Sequence, residues 1–399
     1  MKQLKLHHVR YFAVCITLLF SSFAAAELIV VKQRFETENF KTFNGETIKN
    51  VAVGWESYGK LTPEKDNVIL VTHYFSASSH AAGKYSKDDP QAGYWDALIG
   101  PGKAIDTNKF YVISVDSLAN LGANDPHVIT TGPASINPDT SKPYGLDFPV
   151  VTIRDFVNVQ KLVLESLGIN RLHAVIGASM GSMQAIDWAS AYPDWVPRMI
   201  SVIGSGQSDA WTTVLLERWA IPIRLDPNWR NGDYYSHSAP TEGLIAALMF
   251  ITQDALTPEA FNLVGKTKGV DHQTLQTEPL HSIHGSYAIS NWLRSRAEAR
   301  AKLSDANHLL YLARASQLFV AGHGKSLAEG LQKIKAKSLF LPSSNDLLLM
   351  PYLSHEANQQ LLDLGKTSQL EELAGDSGHL NGVIGISQKA QKIKEFIEQ

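Results

Sequence analysis

The chain has 399 residues, of which 44% are hydrophobic and 19% are charged, with 28 glycines and 17 prolines. These values lie near the average for globular proteins and exclude a disordered, collagen-like or low-complexity chain. The formal net charge of −3 shows no basic excess, which argues against a nucleic-acid partner. The length is typical of two domains, or of one large domain with an insertion.

The N-terminal segment has the pattern of a secretory signal peptide. It begins with three basic residues, Lys2, Lys5 and Arg10. A mainly apolar run follows over residues 11–23, and residues 24–26 form an A-x-A cleavage site. The run is shorter than the roughly 20 residues that a membrane-spanning helix needs. The sequence therefore predicts a signal peptide over residues 1–26, no membrane span in the mature chain, and an exported protein that is periplasmic or secreted.

The cysteine content limits the chemistry of the mature chain. Cys15 is the one cysteine of the sequence and lies inside the predicted signal peptide. A lipoprotein anchored through Cys15 is an alternative, but only a short apolar run would then precede the cysteine. Cleavage after Ala26 leaves 33 basic against 39 acidic residues, a net charge of −6. The mature chain then forms no disulfide and offers no thiolate nucleophile or thiolate metal ligand.

Apolar runs rich in β-branched residues alternate with helical patterns through the first half of the chain. The candidate strands are Val68–Thr72, Tyr111–Val115, 172–177 and 199–203. One helical face is formed by Phe156, Val159, Val163 and Leu167. Near-continuous apolar strands that alternate with helices are typical of a parallel sheet covered on both sides. The sequence therefore predicts an α/β fold with a mostly parallel, doubly wound sheet.

The pattern changes after about residue 210. Helical periodicity dominates residues 210–330, and strands resume at Lys337–Leu341. We therefore predict an α/β core made of residues 27–209 and 331–399, interrupted by a helical lid over residues 210–330.

A G-x-S-x-G motif occupies residues 177–181 and centres on Ser179. A predicted strand ends at its first glycine, and a helix-like segment follows it. This setting is that of a nucleophile elbow, in which a strained turn exposes the serine and requires small neighbours. Ser179 is therefore the candidate nucleophile.

A serine hydroxyl needs a base to remove its proton, and in this arrangement the acid and then the histidine follow in chain order. Asp346 lies in the loop after the late strand at Lys337–Leu341, and His379 lies in a glycine-containing loop near the C-terminus. Asp376 competes as the acid, but it precedes His379 by only three residues. We predict a triad of Ser179, Asp346 and His379.

Backbone amides must stabilise the oxyanion that develops when the serine attacks. One is expected from Met180, directly after the nucleophile. The other is expected from the loop after Val68–Thr72, where Phe75 is the best candidate.

Other motifs are weaker. Residues 322–326 resemble the end of a phosphate-binding loop, but the first glycine of that motif is replaced by Phe319. The histidine pairs His73/His80 and His281/His284 lack a third ligand in the sequence pattern. We therefore predict neither a metal site nor a cofactor.

Seven stretches of the sequence, residues 92–102, 131–138, 142–145, 174–185, 226–229, 232–235 and 305–307, resemble homoserine O-acetyltransferases. That family has the α/β-hydrolase fold and acylates an alcohol through a serine acyl-enzyme. The resemblance covers residues 30–385. It implies the α/β-hydrolase fold, a helical lid that also forms a homodimer interface, and the triad Ser179, Asp346 and His379.

The resemblance also implies substrate-binding residues. The family's lid arginine, which holds the homoserine carboxylate, aligns with Arg218, and Tyr234 lies in one of the matching stretches. The family's aspartate after the catalytic histidine, which binds the substrate amine, is replaced here by Leu380. An apolar side chain cannot pair with a buried ammonium, and an unpaired buried charge costs several kcal/mol.

Leu380 and the export signal together favour hydrolysis, because acetyl-CoA is a cytoplasmic metabolite and water is the acceptor available outside. The sequence thus predicts a serine esterase whose partner is a small-molecule ester or acyl donor. The alternative is an acetyl-CoA-dependent O-acetyltransferase acting on homoserine or another small alcohol. A third interpretation, an inactive binding protein on the same scaffold, is disfavoured by the complete triad.

Overall fold

The computed structural model describes residues 28–267 and 277–399. The predicted signal peptide lies outside the described residues.

Eight strands form one sheet in the order β1-β2-β4-β3-β5-β6-β7-β8. The strands are β1 (Gln33–Lys41), β2 (Thr47–Tyr58), β3 (Val68–Thr72), β4 (Tyr111–Val115), β5 (Ala174–Ala178), β6 (Arg198–Val202), β7 (Lys337–Leu341) and β8 (Ser368–Leu370). Strand β2 runs antiparallel to β1 and β4, and all the other neighbours are parallel. The predicted mostly parallel sheet is confirmed.

The described helices are α1 (Ile153–Ser166), α2 (Met180–Ala191), α3 (Ala210–Leu225), α4 (Thr241–Asp254), α5 (Pro258–Thr267), α6 (Thr277–His281), α7 (Ala288–Ala301), α8 (Ala306–Gln317), α9 (Leu327–Gln332), α10 (Pro351–Asp363) and α11 (Ala390–Glu398). Helix α1 buries the face that its periodicity predicts, including Phe156, Val159 and Val163. Gly168 follows with φ near 70°, a conformation that a glycine adopts without strain and that ends the helix.

Helices cover both faces of the sheet because successive side chains of a buried strand point to opposite sides. In β3, Val68 and Leu70 belong to a core that contains Phe156 of α1. Ile69 and Val71 belong to a second core that contains Phe396 of α11. This two-sided burial explains why the central strands are almost uniformly apolar.

In the described part of the chain, helices α3 to α9 all lie between β6 and β7, in the segment that the sequence analysis assigns to an insertion. Helix α3 packs against α4 and α8, and α4 packs against α7. No single helix within residues 28–267 and 277–399 has the length and hydropathy to cross a bilayer; only α4 and α5 taken together pass that test, and they are bent by 107°.

Strands β1, β2 and β8 are absent from the sequence predictions. Strand β1 is polar and largely exposed at the edge of the sheet, so it lacks the apolar run used to find the others. Strand β8 has only three residues, all partly buried. Two short pairs lie outside the main sheet, Ile99–Gly100 with Ile105–Asp106 and Ile136–Asn137 with Lys142–Pro143.

Candidate active site

Ser179 occupies a sharp turn between β5 and α2. Its backbone has φ 56° and ψ −122°, a left-handed conformation that costs a non-glycine residue about 1–3 kcal/mol. The amide of Ser179 donates to the carbonyl of Val202 on β6, 2.9 Å away, which ties the turn to the sheet. The serine is thereby held at the carboxyl end of the sheet, as in a nucleophile elbow.

The two motif glycines are required by close packing against β3. A Cβ on Gly181 would lie 2.1 Å from the carbonyl oxygen of Thr72, and one on Gly177 would lie 2.1 Å from the Thr72 hydroxyl. No side-chain carbon fits at such distances. The turn therefore accepts only glycine at these two positions.

Asp346 and His379 meet beside the elbow although 33 residues separate them. Asp346 lies in the loop after β7, and His379 lies in a short 3₁₀ helix, Gly378–Gly382, after β8. The Nδ1 of His379 lies 2.6 Å from Oδ2 of Asp346, and both side chains are buried. The other carboxylate oxygen, Oδ1, accepts the amides of Leu348 and Leu349 at 2.8 and 3.1 Å. These bonds fix the direction of the carboxylate.

An ionised carboxylate accepts only, so Nδ1 of His379 carries the proton and Nε2 is left as a base. The Nε2 atom is buried and makes no hydrogen bond to any residue that the structure describes. It is therefore free to accept the proton of a nucleophile that approaches from the pocket.

Asp376, the competing acid, is exposed. Its backbone carbonyl accepts the hydroxyl of Thr257, and within the described residues its side chain makes no hydrogen bond to His379. The structure thus pairs His379 with Asp346 and not with Asp376.

Ser179 and His379 line one pocket of about 660 Å³, part of which is open to solvent. Its walls come from the loop after β3, from α2, α3 and α4, and from the loops that carry Asp346 and His379. The remaining lining residues are Tyr74, Phe75, Ser76, Met180, Met183, Thr212, Leu215, Leu216, Trp219, Ile251, Ala255, Ser316, Leu348, Leu349, Leu380 and Val383. None of these described lining residues is Asp, Glu, Lys or Arg. The pocket is therefore built for uncharged, largely apolar groups.

The two predicted oxyanion donors lie in this pocket. Phe75 and Met180 both line it, and within the described residues neither backbone amide donates to another group. Phe75 also packs edge-on against Trp219 of α3, with ring centroids 5.4 Å apart. Both amides are thus available to an acceptor oxygen bound in the pocket.

His73 holds the loop that carries Phe75, a role that the sequence analysis misses. Its Nδ1 donates to the carbonyl of Tyr74 at 2.9 Å, and its Nε2 accepts the amide of Ser117 at 3.0 Å. Burial lowers the pKa of His73, which keeps the ring neutral and suits these two roles. The feature of the sequence that could have indicated this role is the position of His73 directly after β3.

Two of the predicted substrate-binding residues, Arg218 and Tyr234, do not line this pocket. Arg218 is half exposed on the outer side of α3, where it pairs with Asp254 of α4 and lines an external groove. Tyr234 is buried, and its hydroxyl donates to Asp305 at 2.8 Å. Neither side chain reaches the lining of the catalytic pocket, whereas Leu380 does.

No group of three or more His, Cys, Asp or Glu side chains within residues 28–267 and 277–399 is arranged to hold a metal ion. His73 is engaged as described, and His281 and His284 are exposed on the surface.

Comparison with known proteins extends these observations. The family model of the α/β hydrolase fold matches residues 131–383. The homoserine O-acetyltransferase of Deferribacter desulfuricans is 35% identical over 373 residues, which cover 93% of this chain and 96% of that protein. These matches confirm the predicted α/β-hydrolase fold.

Two crystal structures are closely similar. That of esterase E22 superimposes with a TM-score of 0.90 and 65% identity, covering 92% of this chain and 100% of that chain. That of the homoserine O-acetyltransferase from Bacillus anthracis superimposes with a TM-score of 0.89 and 38% identity, covering 93% of this chain and 98% of that chain. Both a hydrolase and a transferase thus share this architecture.

Proposed function

Because the chain belongs to the homoserine O-acetyltransferase family of α/β-hydrolase-fold enzymes, we propose that it transfers acyl groups through Ser179 and that its acyl acceptor is water. The substrate is a carboxylic ester, and the products are a carboxylic acid and an alcohol. Relatives that are esterases or acyltransferases support an enzyme of this class.

The geometry supports a two-step reaction. The Ser179 oxygen attacks the ester carbonyl while Nε2 of His379 takes the hydroxyl proton, and Asp346 stabilises the resulting imidazolium. The amides of Phe75 and Met180 stabilise the oxyanion. His379 then gives its proton to the departing alcohol, which leaves an acyl-serine. Water, deprotonated by His379, attacks this acyl group, and His379 returns the proton to the Ser179 oxygen as the acid is released.

The observation that carries the choice of water is the absence of ionic side chains from the described pocket lining. Homoserine at neutral pH carries an ammonium and a carboxylate, and each loses its hydration on entering an apolar pocket. A buried charge without a partner is strongly unfavourable. Leu380, directly after His379, presents an apolar wall that cannot supply that partner.

The alternative, an acetyl-CoA-dependent O-acetyltransferase, is supported by relatives named homoserine O-acetyltransferase at 35–38% identity. Export is part of our proposal and opposes this alternative, because an exported enzyme does not meet acetyl-CoA. Mass spectrometry of the secreted protein is expected to give Glu27 as the N-terminal residue. An uncleaved chain retained in the cytoplasm would remove this argument for hydrolysis.

Hydrolysis of p-nitrophenyl esters of increasing acyl length tests the proposal. The wild-type protein is expected to release p-nitrophenol, and Ser179→Ala is expected to lower kcat by about 10⁴–10⁶-fold. Ser182→Ala is a matched control, because this buried serine contacts Ser201 at 2.7 Å and does not line the pocket. Equal loss in both variants, or full activity in Ser179→Ala, would overturn the assignment.

A further inference from the structure

A second chamber adjoins the catalytic pocket. It has a volume of about 500 Å³, is open to solvent on one side, and is lined by Ser76, Ala77, Ser78, Asn120, Leu121, Gly122, Asp125, Val128, Arg300, Leu303 and Ser304. Ser76 lines both cavities and directly follows Phe75, whose amide is a proposed oxyanion donor. The two cavities therefore meet at the wall that Ser76 forms.

Arg300, near the end of α7, is the one cation among the described residues that line the chamber. Its Nη1 donates to the hydroxyl of Thr252 on α4 at 3.0 Å, the one side-chain hydrogen bond that the guanidinium makes within the described residues. A guanidinium carries five N–H donors, so most of them have no acceptor among the described protein groups. Arg154 and Arg294 pair instead with Asp187 and Glu242.

The environment of Arg300 disfavours its charge. Burial lowers the pKa of Arg300; Tyr74 opposes this effect and the nearby Arg296 adds to it. Among the described residues no carboxylate lies at ion-pair distance from Arg300, and a partly desolvated cation without such a partner leaves much of its interaction energy unused. A bound anion would restore it.

We infer that Arg300 binds the carboxylate of an ester whose other half occupies the apolar catalytic pocket. This inference rests on the proposed esterase function and adds a substrate class to it. The planar fork of a guanidinium matches a carboxylate with two parallel hydrogen bonds, which makes arginine selective for this group. Ser76 and Ser78 also line the chamber and make this part of its wall polar.

Asp125 limits the charge of the ligand. This carboxylate also lines the chamber, and its Oδ1 accepts the amide of His127 at 2.9 Å. No ion pair joins Asp125 to Arg300 among the described residues, so the two opposite charges face the chamber separately. A single carboxylate at Arg300 is compatible with this arrangement, whereas a dianion such as phosphate would meet repulsion from Asp125.

Two pairs of esters test the inference, each pair differing by one carboxylate. In the first, 4-acetoxybenzoate and methyl 4-acetoxybenzoate, the charge is on the alcohol half. In the second, mono-p-nitrophenyl glutarate and p-nitrophenyl butyrate, it is on the acyl half. We expect the wild-type protein to prefer the charged ester in one pair, measured as a ratio of kcat/KM values.

The ratio should fall by about tenfold or more in Arg300→Gln and to a smaller extent in Arg300→Lys, which keeps the charge without the fork. Arg296→Gln is the matched control, because Arg296 lies one turn earlier on α7, packs over the Trp292 ring and does not line the chamber. An unchanged ratio in folded Arg300→Gln, or an equal fall in Arg296→Gln, would overturn the inference.

Calorimetry separates this inference from the proposed hydrolysis. In the Ser179→Ala background, 4-acetoxybenzoate and mono-p-nitrophenyl glutarate are titrated with and without Arg300→Gln. Binding of one of them that Arg300→Gln weakens by about tenfold supports the anion site even if no ester is hydrolysed. No binding of either anion contradicts it even if neutral esters are hydrolysed well. Failure of the esterase proposal instead appears as wild-type protein that hydrolyses no ester.

Discussion

Asp346 holds His379 through one carboxylate oxygen and binds two backbone amides through the other. The aspartate thus has one orientation, and it imposes a single tautomer and a single direction on the imidazole. The catalytic base is Nε2 of His379 only while this pairing persists. The proposed role of His379 therefore depends on its contact with Asp346.

Asp346→Asn is expected to lower kcat by about 10⁴-fold, because an amide can leave His379 in the wrong tautomer and does not stabilise its imidazolium. Asp376→Asn is the control and should have little effect, since Asp376 is exposed. Steady-state hydrolysis of a p-nitrophenyl ester measures both. The reverse order of severity would move the acid to Asp376.

In the proposed hydrolysis, Leu380 is the residue expected to disfavour an amine-bearing acceptor relative to water. We expect Leu380→Asp to strengthen homoserine binding by about 10- to 100-fold, the range of a hydrogen bond to a charged group at 1.5–3 kcal/mol. Leu380→Asn is the matched control, because it adds polarity without charge. Competition by homoserine in ester hydrolysis measures the effect, and equal gains in both variants would contradict a charge-based explanation.

Among the secondary-structure elements, the sequence predicts those whose residue types are dictated by local geometry. The nucleophile elbow is predictable because the strained turn and the approach of Thr72 allow only small residues around Ser179. The central strands are predictable because they are buried on both faces. Strands β1 and β2 cannot be predicted in this way, because each forms through antiparallel pairing with the other and not from a local apolar run.

The sequence pattern also does not predict the direction in which a side chain on a lid helix points. Arg218 matches the family position, but the packing of α3 on α4 places it beside Asp254. No sequence motif surrounds Arg300. Its proposed role in anion binding can be inferred only from the folded protein, in which α7 packs against the loops after β3 and β4.

Helix α3 presents an apolar stripe that the predicted homodimer would cover. Val214 and Leu225 are 70% and 76% exposed, and Trp211 is 57% exposed. We expect the wild-type protein to be a dimer through this face and Val214→Lys to weaken it, because a desolvated lysine opposes association. Light scattering over a concentration series measures the mass. A wild-type monomer at micromolar concentration would contradict the predicted interface.

At the scale of the whole molecule, a buried ionic network joins the N-terminal segment to the core. Glu56 on β2 lies 2.8 Å from Lys32 and 3.0 Å from His80, and it accepts the hydroxyl of Tyr85 at 2.7 Å. Burial opposes its charge, but the hydrogen bond from His80 and the charge of Lys32 outweigh burial and lower the pKa of Glu56 to about 2. The network therefore keeps Glu56 ionised in the folded protein.

Because the folded pKa of Glu56 lies below its ordinary value of 4.5, its contribution to stability is present above pH 4.5 and is lost as the pH falls towards 2. Glu56→Gln is expected to cost about 3 kcal/mol of unfolding free energy at pH 7 and to flatten the pH dependence between these values. Glu36→Gln is the control, since Glu36 pairs with Arg34 on the surface. Urea unfolding at several pH values distinguishes them; equal costs would contradict the network's role.

In the proposed reaction, the apolar pocket around Ser179 and His379 directs the acyl group to water. Product analysis after reaction of wild-type protein with p-nitrophenyl acetate and excess homoserine tests this directly. Acetate is the expected product, with no increase in the rate of p-nitrophenol release on adding homoserine. Efficient formation of O-acetylhomoserine would contradict it and establish the transferase.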